Sequence, residues 1–227
     1  MPEKPILFNT DMVRAILDGR KTQTRRLVKN LPLDDPCATY VDKDGLWISD
    51  EDGWHRAEAF SPIKSGDILW VRETWSQLFS CENPTGRYVY KATDEYPFGS
   101  KYIVKFRWHP SIHMPRKAAR IFLRVTDVRP ESLQDITEDD VCAEGAEKII
   151  TRCQYMDYSE SPPEPCYNVR PCKNCIMDRG YPELFCEMIW NPTIKKADLP
   201  RYGWETNPWV WVITFERINK PEGWLNV

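Results

Sequence analysis

Long apolar runs are missing from this chain of 227 residues. None approaches the ~20 consecutive apolar residues that a membrane-spanning helix needs. The opening Met1-Pro2-Glu3-Lys4-Pro5 has no apolar core of the kind a secretory signal carries. Positive charge is not in excess: Lys plus Arg total 31, Asp plus Glu 34, and the formal charge is -3. That excludes a basic coat over the whole surface, so any contact with nucleic acid must come from a local cluster. Glycine is sparse at 10 residues, and no glycine-rich phosphate loop is present. Of the 3 histidines, His109 and His113 are spaced like helical metal ligands, but Pro110 and Pro115 argue against a helix there. His113 is instead a candidate hydrogen-bonding or acid-base group in a cleft. The expected location is cytoplasmic, with no membrane partner and with reduced cysteines.

What is abundant is tryptophan (10) and proline (19). So much tryptophan implies a large aromatic core or a stacking surface. A short strand at Ile6-Leu7-Phe8 leads to Asn9, Thr10 and Asp11, which offer N-caps. Met12, Val13, Ile16 and Leu17 then recur at helical spacing, and Gly19 suits the left-handed position past a helix end. Arg20 to Val28 reads as a strand. Residues 30 to 62 lose periodicity and form an insertion with a small hairpin around Tyr40 to Ile48. Strands are expected at Ile68–Trp75, Tyr88–Ala92, Ala118–Val128 and Trp209–Phe215. Thr137 and Asp140 form a variant capping box, with Ile136 placed to pack on Val141, and Gly145 closes that helix. Residues 148 to 206 read as a second, irregular insertion. The expected class is α+β. A closed or nearly closed β-barrel with short helices would hide the strand edges in one domain over 1–227.

Four ordered blocks carry a resemblance. They are Gly19-Arg20-Lys21-Thr22-Gln23-Thr24-Arg25-Arg26, Gly66-Asp67-Ile68-Leu69-Trp70-Val71-Arg72-Glu73-Thr74-Trp75, Ile136 to Gly145, and Pro208-Trp209-Val210-Trp211-Val212-Ile213-Thr214-Phe215. Together they resemble the ASCH domain superfamily. Trp108-His109-Pro110-Ser111-Ile112-His113-Met114-Pro115 is similar to the subgroup carried by phages and prophages. The resemblance implies a PUA-like fold, a small pseudo-barrel, and a cleft that binds RNA or a modified nucleoside. Some small members are amidohydrolases that deacetylate acetylated cytidine with a Lys, a Thr and a Glu. By motif position those residues are Lys21, Thr24 and Glu144.

Amide hydrolysis needs a nucleophile, a base and stabilisation of the oxyanion. Thr24 can serve as nucleophile and Glu144 as proton acceptor. Lys21 can serve as a base if burial lowers its pKa, or as a stabilising cation. A carboxylate at Glu144 meets the negative end of its helix, at a cost of about 0.3–1 kcal/mol, which favours a functional role. On a regular strand Lys21 and Thr24 would face opposite ways, so Lys21 must sit in a turn or before a bulge. The competing reading is a solvated basic strand. Arg20, Thr22, Arg25 and Arg26 are further substrate-binding candidates, the arginines for phosphate. Arg72, Glu73 and Trp75 end a strand that can line the cleft, with Trp75 able to stack on a base. Core packing is the alternative for Trp70 and Trp75. A third function class is a protein-interaction module with the insertions as contact surface.

Five cysteines crowd the second insertion. Cys172-Lys173-Asn174-Cys175 is a knuckle, with Cys166 before it and Cys186 after it. Four thiolates can hold a structural zinc and organise a segment that lacks its own core. Cys153 can replace Cys166 or Cys186. Reduced thiols and a redox pair at Cys172 and Cys175 are the alternatives.

Overall fold

The computed structural model describes residues 2–29, 31, 39–42, 45–80, 83–93, 107–146, 156–157, 164–165 and 181–224. In chain order the strands and longer helices are β1 (Glu3–Leu7), α1 (Thr10–Leu17), β2 (Gln23–Leu27), β3 (Thr39–Asp42), β4 (Gly45–Asp50), β5 (Gly53–Arg56), β6 (Ile68–Arg72), β7 (Trp75–Ser80) and β8 (Asn83–Tyr90). Then come β9 (Phe122–Ser132), α2 (Glu138–Ala143), β10 (Met156–Asp157), β11 (Glu164–Pro165), α3 (Tyr181–Phe185) and β12 (Trp209–Ile218). The class is α+β. The chain divides into two compact units, one of 1–20, 63–126 and 215–227, the other of 21–62 and 127–214.

In the first unit the sheet runs β1-β6-β9-β12, using the start of β9 and the end of β12. β1 pairs parallel to β6, from Glu3 opposite Ile68 to Leu7 opposite Arg72. A parallel pair needs a long crossover, and the chain between these two strands passes through the other unit. Pro5 lies in β1, as befits an edge strand, because proline has no N–H for a second ladder. α1 starts at Asn9, whose side chain accepts from the Met12 N–H, and buries Val13, Ala15 and Ile16. Trp70 is a core residue, packed with Ile68, Ala119, Phe122 and Trp224. The expected strand Ile68–Trp75 breaks at Glu73 and Thr74. Trp75 opens a separate ladder, β7 with β8, and is buried with Tyr90, Met114 and Ala118.

In the second unit β9, β12 and β2 are consecutive, using the end of β9 and the start of β12. β12 pairs antiparallel with β2, Val210 opposite Leu27 through Thr214 opposite Gln23. Thr137 caps α2 through a complete capping box with Asp140, and Ile136 and Val141 are both buried, as the staple requires. Gly145, with φ of 77°, closes the helix.

Three expectations are corrected. Among the described residues the strands make open sheets, with no closed barrel. Just ahead of β2, Lys21 pairs by backbone with Glu144 and the Thr22 N–H donates to the Ala143 carbonyl, so the end of α2 meets the entry to this strand. The first insertion holds a three-stranded sheet, β3-β4-β5, because Gly53 turns the chain back once more at φ of 121°. The described end of the second insertion is helical: α3 continues through a π-turn at Cys186–Trp190.

Candidate functional site

β2 carries charged residues where a strand interior would ordinarily be apolar. Gln23, Thr24 and Arg25 are all buried, and so are Lys21 and Glu144. Lys21 stands outside the strand, in an isolated bridge to Glu144. Its ammonium has three protons and three acceptors: Glu144 Oε2 at 2.6 Å, the Glu144 carbonyl at 3.0 Å and the Gln23 carbonyl at 2.8 Å.

A second cation meets the same carboxylate. Arg25 Nη1 donates to Glu144 Oε1 at 3.4 Å, while Nη2 reaches Glu131 at 2.7 Å and Asp140 at 3.3 Å. Gln23 Nε2 donates to Asp140 Oδ1 at 2.8 Å, and Arg129 bridges Glu131 and Asp140 at 3.2 and 3.5 Å. The Arg25 Nε–H, also buried, has no hydrogen-bond partner among the described residues.

Burial holds the Lys21 ammonium below the ordinary lysine range. The charge and hydrogen bond of Glu144 oppose that shift, and Arg26 and Arg25 add to it. Burial likewise lowers the Arg26 guanidinium, against the pull of Glu144. For Asp140 burial pushes upward, but hydrogen bonds from Gln23 and Thr137 and the charge of Arg25 win, and its carboxyl lies below the ordinary range. Near a protein surface an ion pair at ~4 Å gains about 4 kcal/mol, while burying each ion costs several. An assembly of this kind therefore contributes little net stability, which makes it a functional-site candidate.

The second unit thus brings Lys21 and Glu144 together with Arg25. Thr24 is buried with Ile213 as its register partner, and its hydroxyl takes no part in this network among the described residues. Thr22 is exposed and half-buried Arg26 lies close enough to feel Glu144. Arg20 belongs to the first unit, where it pairs with Asp18 at 3.0 Å.

Arg72, Glu73, Trp75 and His113 also fall in the first unit. Arg72 donates to the Ile112 carbonyl and lies 5.7 Å from the Trp70 ring centroid. Glu73 is gripped by both ends of the Arg120 guanidinium, at 2.9 and 3.0 Å. Trp75 stacks on His109 at 5.1 Å. His113 is exposed on a one-turn helix.

Sequence reasoning missed Gln23, Arg120, Arg129 and Glu131. Asp140 was visible as a cap alone. The alternation of Gln23 with Arg25 was the available signal, since two polar residues on one strand face ask for partners. Cys166, Cys172, Cys175 and Cys153 lie outside the described residues. Cys186 is buried, and its Sγ accepts from Asn191 Nδ2 at 3.3 Å. No group of metal-ligating side chains occurs among the described residues, and no helix among them is long and apolar enough to cross a membrane. No family model, curated protein or solved structure matches the chain.

Proposed function

We propose that the Lys21–Glu144 centre binds a modified nucleoside, free or within RNA, on a PUA-like scaffold of the ASCH type. The observation that carries this reading is the buried ammonium–carboxylate pair at 2.6 Å, with Arg25 on the second carboxylate oxygen. Its lysine has a lowered pKa, and its neighbour Arg25 holds a buried donor in reserve at Nε. Such donors and acceptors suit the edge of a base better than a phosphate backbone, because Arg25 is already committed to three carboxylates.

A second reading is hydrolysis of an N-acylated nucleoside, and the lowered Lys21 pKa favours it. In that reaction the neutral Lys21 amine takes the Thr24 hydroxyl proton as the oxygen attacks the acyl carbonyl carbon. The C–N bond breaks, the departing amine receives that proton, and water then frees the acid from the threonine ester. A structural zinc held by Cys166, Cys172, Cys175 and Cys186 belongs to the same proposal.

Calorimetric titration with N4-acetylcytidine, followed by chromatography of the mixture, separates the readings. Saturable binding without turnover, lost in Glu144→Gln, supports recognition. Release of cytidine and acetate, abolished in Thr24→Ala, supports hydrolysis. Neither binding nor turnover across several acylated nucleosides and their parent RNA defeats both.

A further inference from the structure

In the second unit, β3, β4 and β5 form an antiparallel sheet with two unlike faces. Tyr40 stands opposite Trp47, Trp47 opposite Arg56, and Ser49 opposite Trp54. By strand alternation Tyr40, Trp47, Trp54 and Arg56 share one face, while the buried Leu46 and Ile48 point to the other. The first face is open: Tyr40 is 48% exposed and Trp54 50%. Tyr40 stacks on Trp47 at 6.5 Å and meets Trp54 edge-on at 5.8 Å and 85°. Two ring planes at a right angle make a corner. Contiguous exposed apolar surface of this kind marks an interaction site.

Charge selects the occupant. Among the described residues from 39 to 60, the carboxylates are Asp42, Asp50, Glu51, Asp52 and Glu58, against Arg56 as the one Lys or Arg. Asp42 sits at the rim of the aromatic corner, accepting from the Tyr40 hydroxyl and from Trp47 Nε1. A field of this sign repels a phosphate backbone and draws cations, which aromatic faces hold through the ring quadrupole. This sheet already holds one cation in that way: the Arg56 guanidinium lies 5.8 Å from the Trp47 centroid while pairing with Glu58 at 3.1 Å.

We propose that this face docks a basic segment of a partner protein, whose arginine or lysine side chains stack on Tyr40 and Trp54 and pair with the surrounding carboxylates. It uses none of the residues of the nucleoside centre, so either reading can fail alone.

The test uses the full chain and a fluorescent peptide of alternating arginine and glycine, followed by anisotropy. An oligouridylate of equal length and a neutral glucose hexasaccharide run beside it. The peptide is expected to bind, with Trp54→Ala and Tyr40→Ala each weakening it at least about fivefold at unchanged melting temperature. These two substitutions leave the net charge untouched, so such a loss separates stacking from general attraction of a polycation. The proposal is overturned if the peptide does not bind or if both aromatic variants bind it like the parent. Oligouridylate or saccharide binding that Trp54→Ala abolishes, with the peptide indifferent to it, overturns it too.

Discussion

Lys21 brings three donors to a place with three acceptors, yet burial pulls its proton away. Hydrogen bonding favours the ammonium and desolvation favours the amine, and that tension is what a base or a proton relay requires. Removing Lys21 leaves the buried Glu144 carboxylate with its longer 3.4 Å contact to Arg25 in place of two cations. Lys21→Met should therefore lower the unfolding free energy by roughly 3–5 kcal/mol in urea titration. The double variant Lys21→Met with Glu144→Leu should recover much of that loss, because no unpaired carboxylate stays behind. If the single variant melts like the parent, the pair is not buried as described. Asp140 and Lys21 also set opposite limbs of the stability–pH profile. Asp140 has a folded pKa below its unfolded one, so its contribution is complete above the ordinary carboxylate range and drains as pH falls through the depressed value. Asp140→Asn should flatten that acid limb in thermal melts. Lys21 is depressed as a base. Between its folded pKa and the ordinary lysine value the unfolded chain holds the extra proton, and stability rises with pH there.

At the scale of elements, α2 is six residues long and leans on its ends. A helix this short is marginal by propensity alone. The Thr137–Asp140 box holds its start, and the Glu144 cap, tied to Lys21, holds its finish. Thr137→Ala should cost about 1 kcal/mol and Thr137→Ser much less, read by chemical denaturation. Because the cap residue is also the site carboxylate, Thr137→Ala should weaken nucleoside binding more than Asn9→Ala, which removes the cap of α1 in the first unit. Equal effects of the two caps on binding would break the link between α2 and the site. The Thr137–Asp140 box was legible beforehand, since a capping box is a local hydrogen-bond pattern written in four consecutive residues, whereas Asn9 was one of three candidate caps for α1. The third strand of the first insertion was not. A Gly53 turn and a run as short as Gly53–Arg56 resemble ordinary loop until a neighbouring strand supplies the ladder.

For the whole molecule, a net charge of -3 and a site whose arginine is internally committed set the salt response. Each phosphate neutralised on a single strand contributes about -0.7 to the slope of log affinity against log salt. RNA binding through this centre should show a slope no steeper than about -2, the yield of two or three phosphate contacts. Arg25→Ala should lower the melting temperature and leave that slope unchanged. A steep slope that Arg25→Ala flattens would mean that Arg25 leaves its carboxylates to meet phosphate. Zinc is also decided on the intact chain. Metal analysis under reducing conditions should return about one equivalent, and less than about half defeats a four-thiolate site.

The residues alone determined what is local: the two capped helices and the apolar runs of β6, β9 and β12. Each depends on neighbours within a few positions, where hydrophobic period and turn chemistry operate. Tertiary structure alone decided which charges meet. Arg25 lies 106 residues from Glu131 and 119 from Glu144, and no local rule pairs groups so distant. The same holds for the edges. A strand pattern says that an edge must be managed, and only the packed chain says that the end of α2 meets the entry to β2.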